Sequence, residues 1–163
     1  MRRLPVLAVL LGVLAAGCAG GEPAAPGETW AELGTGEWEF VSLTDEQEVD
    51  LIFGSQGGYH VWASIRTEGL DPSRVMLEVE TQVGDDSRPA EHSRVPVDLE
   101  VDEVTGVQQF IGWPAVLAHP GCAVDRMIRV HVTLTDRRGV VAGDECYVMP
   151  RLPDWAPPPP TCE

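Results

Sequence analysis

Four histidines, His60, His92, His119 and His131, are the side chains of this chain best suited to hold a metal or move a proton. Their spacing forms no ligating motif: there is no His-x-x-x-His, no Cys-x-x-Cys and no blue-copper grouping of Cys, His and Met. His60 and His131 fall on the outward faces of two predicted strands and would meet if those strands pair. Asp85-Asp86-Ser87 and Asp102-Glu103 could help bind Ca²⁺, but neither has EF-hand spacing. Solvated side chains are the simpler reading of both sets, so no metal ligand and no cofactor is assigned. Ser55 lies in Gly54-Ser55-Gln56-Gly57-Gly58, where a nucleophile elbow would need Gly in place of Phe53. Carboxylates are too abundant for a hydrolytic pair to stand out. No catalytic residue is therefore assigned, and the chain is read as a non-enzyme.

The aromatic residues suggest binding instead. In the run Tyr59–Arg66, Tyr59, Val61, Ala63 and Ile65 share one face, and His60, Trp62, Ser64 and Arg66 the other. An outward tryptophan either packs under a loop such as Gln108–Leu117 or contacts a partner or sugar, for which a large rigid ring is well suited. Tyr59, His60 and Trp62 are the candidate partner-binding residues. Trp113 and Trp155 are further aromatic candidates without an assigned role.

The first 17 residues fix the expected location. Arg2 and Arg3 precede an apolar run of 13 residues, Leu4 to Ala16, and Leu14-Ala15-Ala16-Gly17 leads into Cys18. A membrane-spanning helix needs about 20 residues, so this run reads as a cleaved signal peptide and not as an anchor. The small residues before the cysteine resemble a bacterial lipoprotein signal, with Ala15 where Leu is commoner. The resemblance implies that Cys18 is lipidated and becomes the mature N-terminus, held on the membrane by two or three acyl chains. Ala19, in place of the Asp associated with inner-membrane retention, favours the outer membrane.

Composition narrows the partners. The chain carries 11 arginines, no lysine and 26 acidic residues, for a net charge of −15. Loss of residues 1–17 removes two arginines and no acid, leaving −17. Such a surface repels nucleic acid and anionic lipid heads. An envelope protein or a glycan is the expected partner, with a metal or small periplasmic ligand as the alternative.

These residues are expected to sit on one domain, residues 30–150, between a flexible lipidated tether, 18–29, and a Pro-rich tail, 151–163. The tether is rich in Gly, Ala and Pro, which cannot build a core. Pro157-Pro158-Pro159-Pro160 predicts an extended, solvated tail. Between them, period-2 patterning predicts strands over Glu37–Leu43, Glu48–Phe53, Tyr59–Arg66, Val75–Val83, Val95–Val101, Ile128–Leu134 and Val140–Met149. Gln108–Leu117, broken by Gly112 and Pro114, reads as an irregular strand or covering loop. Pro96 suggests an edge strand. Seven or eight short strands without helical periodicity predict an all-β chain, a single antiparallel β-sandwich resembling immunoglobulin or fibronectin type III domains.

Cys122 and Cys146 flank the terminal hairpin. A bridge between them would close a 24-residue loop and contribute about 3–4 kcal/mol in the chain-entropy model. Cys162 would then be free or intermolecular. The competing pairing is Cys146–Cys162. The Gly57-Gly58-Tyr59-His60-Val61-Trp62 stretch, the lipobox and the later cysteines together resemble uncharacterised envelope lipoproteins of Gram-negative bacteria.

Overall fold

The computed structural model describes residues 28–84 and 90–162. The segment 1–17 read as a signal peptide, Cys18, most of the segment 18–29 and Asp85-Asp86-Ser87 lie outside the described residues. The rest is an all-β sandwich of two sheets packed face to face and not closed into a barrel.

Eleven strands and one helical turn follow in order: β1 Trp30–Thr35, β2 Val41–Ser42, β3 Gln47–Asp50, β4 Ile52–Phe53, β5 Tyr59–Glu68, β6 Val75–Val83, β7 Glu91–Val97, β8 Glu100–Val101, β9 Gln108–Val116, α1 Pro120–Ala123, β10 Ile128–Thr135 and β11 Val141–Arg151. The front sheet runs β2-β1-β5-β9-β8, with β4 also paired to β5. The back sheet runs β3-β11-β10-β6-β7. All pairings are antiparallel except β3–β11, which is parallel. Gln108–Leu117 is therefore largely a strand beside β5, not a cover over Trp62. Its register slips between Ala63 and Ile65, where Gly112 turns at positive φ. Pro96 does lie on an edge strand, where its missing N–H costs no ladder bond. Strand β1 has no counterpart among the strands that patterning predicts.

Alternation builds the core. Val61, Ala63 and Ile65 of β5 face Val75, Leu77 and Val79 of β6 and Val130, Val132 and Leu134 of β10 in one buried cluster. Three polar contacts tie the sheets or their edges together. Asp144 Oδ2 on β11 accepts the Leu33 amide of β1 at 2.8 Å. Thr81 Oγ1 on β6 donates to the Val116 carbonyl of β9 at 2.7 Å. Trp113 Nε1 donates to Ser93 Oγ at 3.1 Å, joining β9 to β7.

The turn from β10 to β11 is held by Asp136. Its carboxylate accepts the amides of Asp71, Arg138 and Val140 and the Arg138 Nε at 2.8–2.9 Å. Burial pushes this carboxyl up, but those amides and the Arg138 guanidinium overrule it and hold it well below the usual carboxylate range.

The cysteines depart from the favoured pairing. Cys122 bonds Cys162, not Cys146. Cys146, fully buried, is itself disulfide-bonded, and no cysteine among the described residues is free. The reason is geometric. Cys146 faces the core from the middle of β11, whereas Cys122 sits on α1 beside the returning tail, whose Pro160 carbonyl packs against Gly121. The tail is thus not a free solvated segment. It is fastened at Cys162 and again where the Tyr59 hydroxyl donates to the Pro157 carbonyl at 2.9 Å.

Burial pushes the Asp144 carboxyl above its ordinary value, the amides of Leu33 and Glu145 pull it down, and Glu32 and Glu145 add to the rise. A raised carboxyl takes its proton earlier in the native state than in the unfolded one. This group therefore adds stability as pH falls toward about 4 and withdraws it as pH rises. Asp144→Asn keeps an acceptor for Leu33 and removes that slope. Asp144→Ala orphans the amide and costs about 1–3 kcal/mol. Denaturant unfolding at pH 7 and pH 5 will show the asparagine variant unfolding near wild type with a flatter pH response, and the alanine variant weakened at both.

Candidate surface site on the front sheet

The outer face of the front sheet gathers the residues best placed to touch another molecule. From β5 it receives His60, Trp62, Ser64 and Arg66. Ile52 of β4 and Val116 of β9 flank His60 in register, and Pro114 lies opposite Trp62. The His60 and Trp62 rings meet edge to face with centroids 4.5 Å apart. Trp62 is half-buried.

Across the middle of this face lies the turn 36–40 between β1 and β2. Sequence patterning predicts a strand there; the structure forms strand only at Val41–Ser42. Gly36 explains the turn. It adopts φ +109°, and a Cβ at this position would lie 2.0 Å from the Glu39 carbonyl. The turn is fastened from below. Ser64 Oγ donates to the Gly36 carbonyl at 2.8 Å and accepts the Gly112 amide at 2.9 Å. Gly112, at φ +74°, lets the Glu37 carbonyl approach where a Cβ would sit 2.4 Å away. Phe40 packs against Gly34, and the Arg66 guanidinium lies 4.2 Å from the centre of its ring.

The consequence is Trp38. It sits on this fastened turn with 85% of its surface exposed, between the exposed carboxylates Glu37 and Glu39. It is the most exposed tryptophan among the described residues, ahead of Trp155 at 70%. Sequence reading missed it because Glu-Trp-Glu-Phe alternates like a strand. The available signal was the pair Gly34 and Gly36 immediately before, which marks a turn.

The predicted site residues divide. His60 and Trp62 share the outer face, as expected. Tyr59 does not: it is 6% exposed on the core side, packed 5.0 Å from Phe53 and covered by the tail at Pro157. It is a packing residue in the folded chain, not a surface contact. His60 is itself 7% exposed, with Nε2 buried and lacking a hydrogen-bond partner among the described residues. Burial pushes its imidazole below the ordinary value, and Glu37 nearby opposes that.

His60 and His131 do not meet. His131 lies on the outer face of the back sheet, in register with Glu80 and Glu145, while His92 pairs with Glu80 from the other side. The Glu80 and Glu145 carboxylates are shared by Arg129. Among the described residues no three His, Cys, Asp or Glu side chains gather where they could hold a metal ion. His119 is exposed beside Cys122 in a shallow cleft of about 450 Å³ formed with Pro160 and Thr161. Asp102 accepts the amides of Val104 and Thr105, which hold its carboxyl down and explain this acidic pair as a turn.

No protein-family model, curated protein or solved structure matches the chain. The site is defined by its own geometry: a β-sandwich with an exposed tryptophan carried on a fastened turn over one sheet.

An imidazole lowered by burial contributes stability above its unfolded value, about pH 6.5, and loses it as pH falls through the lowered native value. His60→Phe keeps a ring beside Trp62 and removes the proton site. Unfolding free energies measured between pH 7 and pH 5 will show wild type losing stability relative to His60→Phe as the solution is acidified.

Proposed function

We propose that this protein is a non-enzymatic, lipid-anchored module of the bacterial cell envelope that binds a partner through the outer face of its front sheet. The observation that carries this reading is Trp38. The fastened turn fixes the backbone of Trp38, so binding need order only its two side-chain torsions, and tryptophan is among the commonest energetic anchors of an interface. Trp62 and His60 extend the same face. The lipobox at Cys18 supports attachment to the outer membrane, where the tether 18–29 would give the domain reach along the envelope.

The two halves of this reading are tested separately. Trp38→Ala, in cells carrying the full chain, is expected to weaken capture of a cross-linked partner at least tenfold, a loss of about 1.4 kcal/mol. Its melting temperature will stay within about 2 °C of wild type, because a surface change of this kind is nearly neutral for stability. A large fall in melting temperature, or unchanged capture, would count against the binding role. For the anchor, mass spectrometry of the mature N-terminal peptide after reduction will show a thioether-linked diacylglyceryl group on Cys18. An unmodified Cys18 thiol would refute lipidation, and Cys18→Ala will move the protein from the membrane to the soluble fraction.

A further inference from the structure

The two faces of the sandwich treat their charges differently. On the back sheet, arginines neutralise carboxylates within the molecule. Arg94 meets Glu78 at 2.9 Å, Arg129 bridges Glu80 and Glu145, and Arg151 meets Glu48 at 2.6 Å and Asp125. At the sandwich end, Arg137 and Arg138 are engaged by Asp71 and Asp136. The front sheet's outer face carries one arginine, Arg66, and its guanidinium lies over Phe40. Glu37 and Glu39 enter no ion pair or side-chain hydrogen bond among the described residues, although both are exposed on either side of Trp38.

We infer that the Glu37-Trp38-Glu39 turn docks onto a basic protein surface, with Trp38 entering an apolar pocket and the two carboxylates facing Lys or Arg on its rim. This rests on the binding role proposed above and specifies the chemistry of the partner. Exposed carboxylates left without internal cations are available to external ones at no cost in broken contacts. A lysine or arginine beside Trp38 also gains from the ring face itself. The net charge of the chain adds long-range attraction, which would speed encounter with a basic surface and repel nucleic acid and anionic lipid. A neutral glycan would stack on Trp38 but have no use for the two charges.

The test uses the full chain in cells, with a photoreactive benzoylphenylalanine replacing Val41, an exposed residue just beyond the turn. The chain has no lysine, so light-driven coupling is preferable to amine chemistry. The protein recovered at this position is then purified, and its association with wild type, Trp38→Ala and the double variant Glu37→Gln/Glu39→Gln is followed at low and high salt. The expected result has two parts. The double glutamine variant associates about tenfold more slowly at low salt, a gap that closes at high salt, while Trp38→Ala dissociates faster. Thermal melting confirms that both variants fold. If Trp38→Ala loses the partner but the glutamine variant binds as wild type, the basic-partner inference fails and the binding role survives. Recovery of a glycan or an acidic protein at position 41 likewise overturns the basic partner and leaves the binding role standing. If nothing couples in a Trp38-dependent way, the binding role and this inference fall together.

Discussion

A buried carboxylate organises the front of this molecule. Asp144 stands on the inner face of β11, where an apolar side chain would be expected, and accepts the Leu33 amide of β1. That amide points away from β5 and has no ladder partner at this position, so without Asp144 a strand edge would be buried unsatisfied. The contact spans 111 positions of sequence and registers the front sheet on the back one. Everything the turn 36–40 does depends on β1 arriving over Ser64 and Gly112 at the correct height. The cost is a charge held in a poor environment, close to Glu32 and Glu145, and the fold accepts it because the alternative is an open edge inside the core.

The sandwich was legible in the sequence where alternation was strong. β5, β6 and β10 place apolar or β-branched residues at every second position, β11 does so except at Asp144, and their expected and observed spans agree within a few residues. Trp30–Thr35 escaped because only Ala31 and Leu33 of its residues turn toward the core, and Gly34 lies where a side chain would declare a face. Glu37–Phe40 failed in the opposite sense. Its alternation is real, but Gly36 requires a backbone that a strand cannot use, and local conformation overrode pattern.

Long-range pairings were the least legible features. Cys122 was expected to follow the hairpin to Cys146, which is nearer in sequence. The tail instead returns across Tyr59 and brings Cys162 to α1. Nothing in the tetraproline run reveals that it is fastened at both ends, because its anchor points are a hydroxyl and a thiol contributed by distant segments. Tyr59 is the converse case: alternation already places it with Val61, Ala63 and Ile65 on the core face, and the returning tail shows what closes over it.

The turn that carries Trp38 separates the residue that is shown from the residues that show it. Gly36, Gly112 and Ser64 are each held by a backbone angle, a close approach or a pair of hydrogen bonds, and few substitutions satisfy all of these at once. Trp38 touches almost nothing in its own chain. Mutation can therefore exchange the displayed side chain, or the charges beside it, without disturbing the platform beneath. Such a surface is free to drift in what it recognises while its scaffold stays constant. Among descendants of this chain, the glycines and the serine would be the enduring signature, and the tryptophan the variable one.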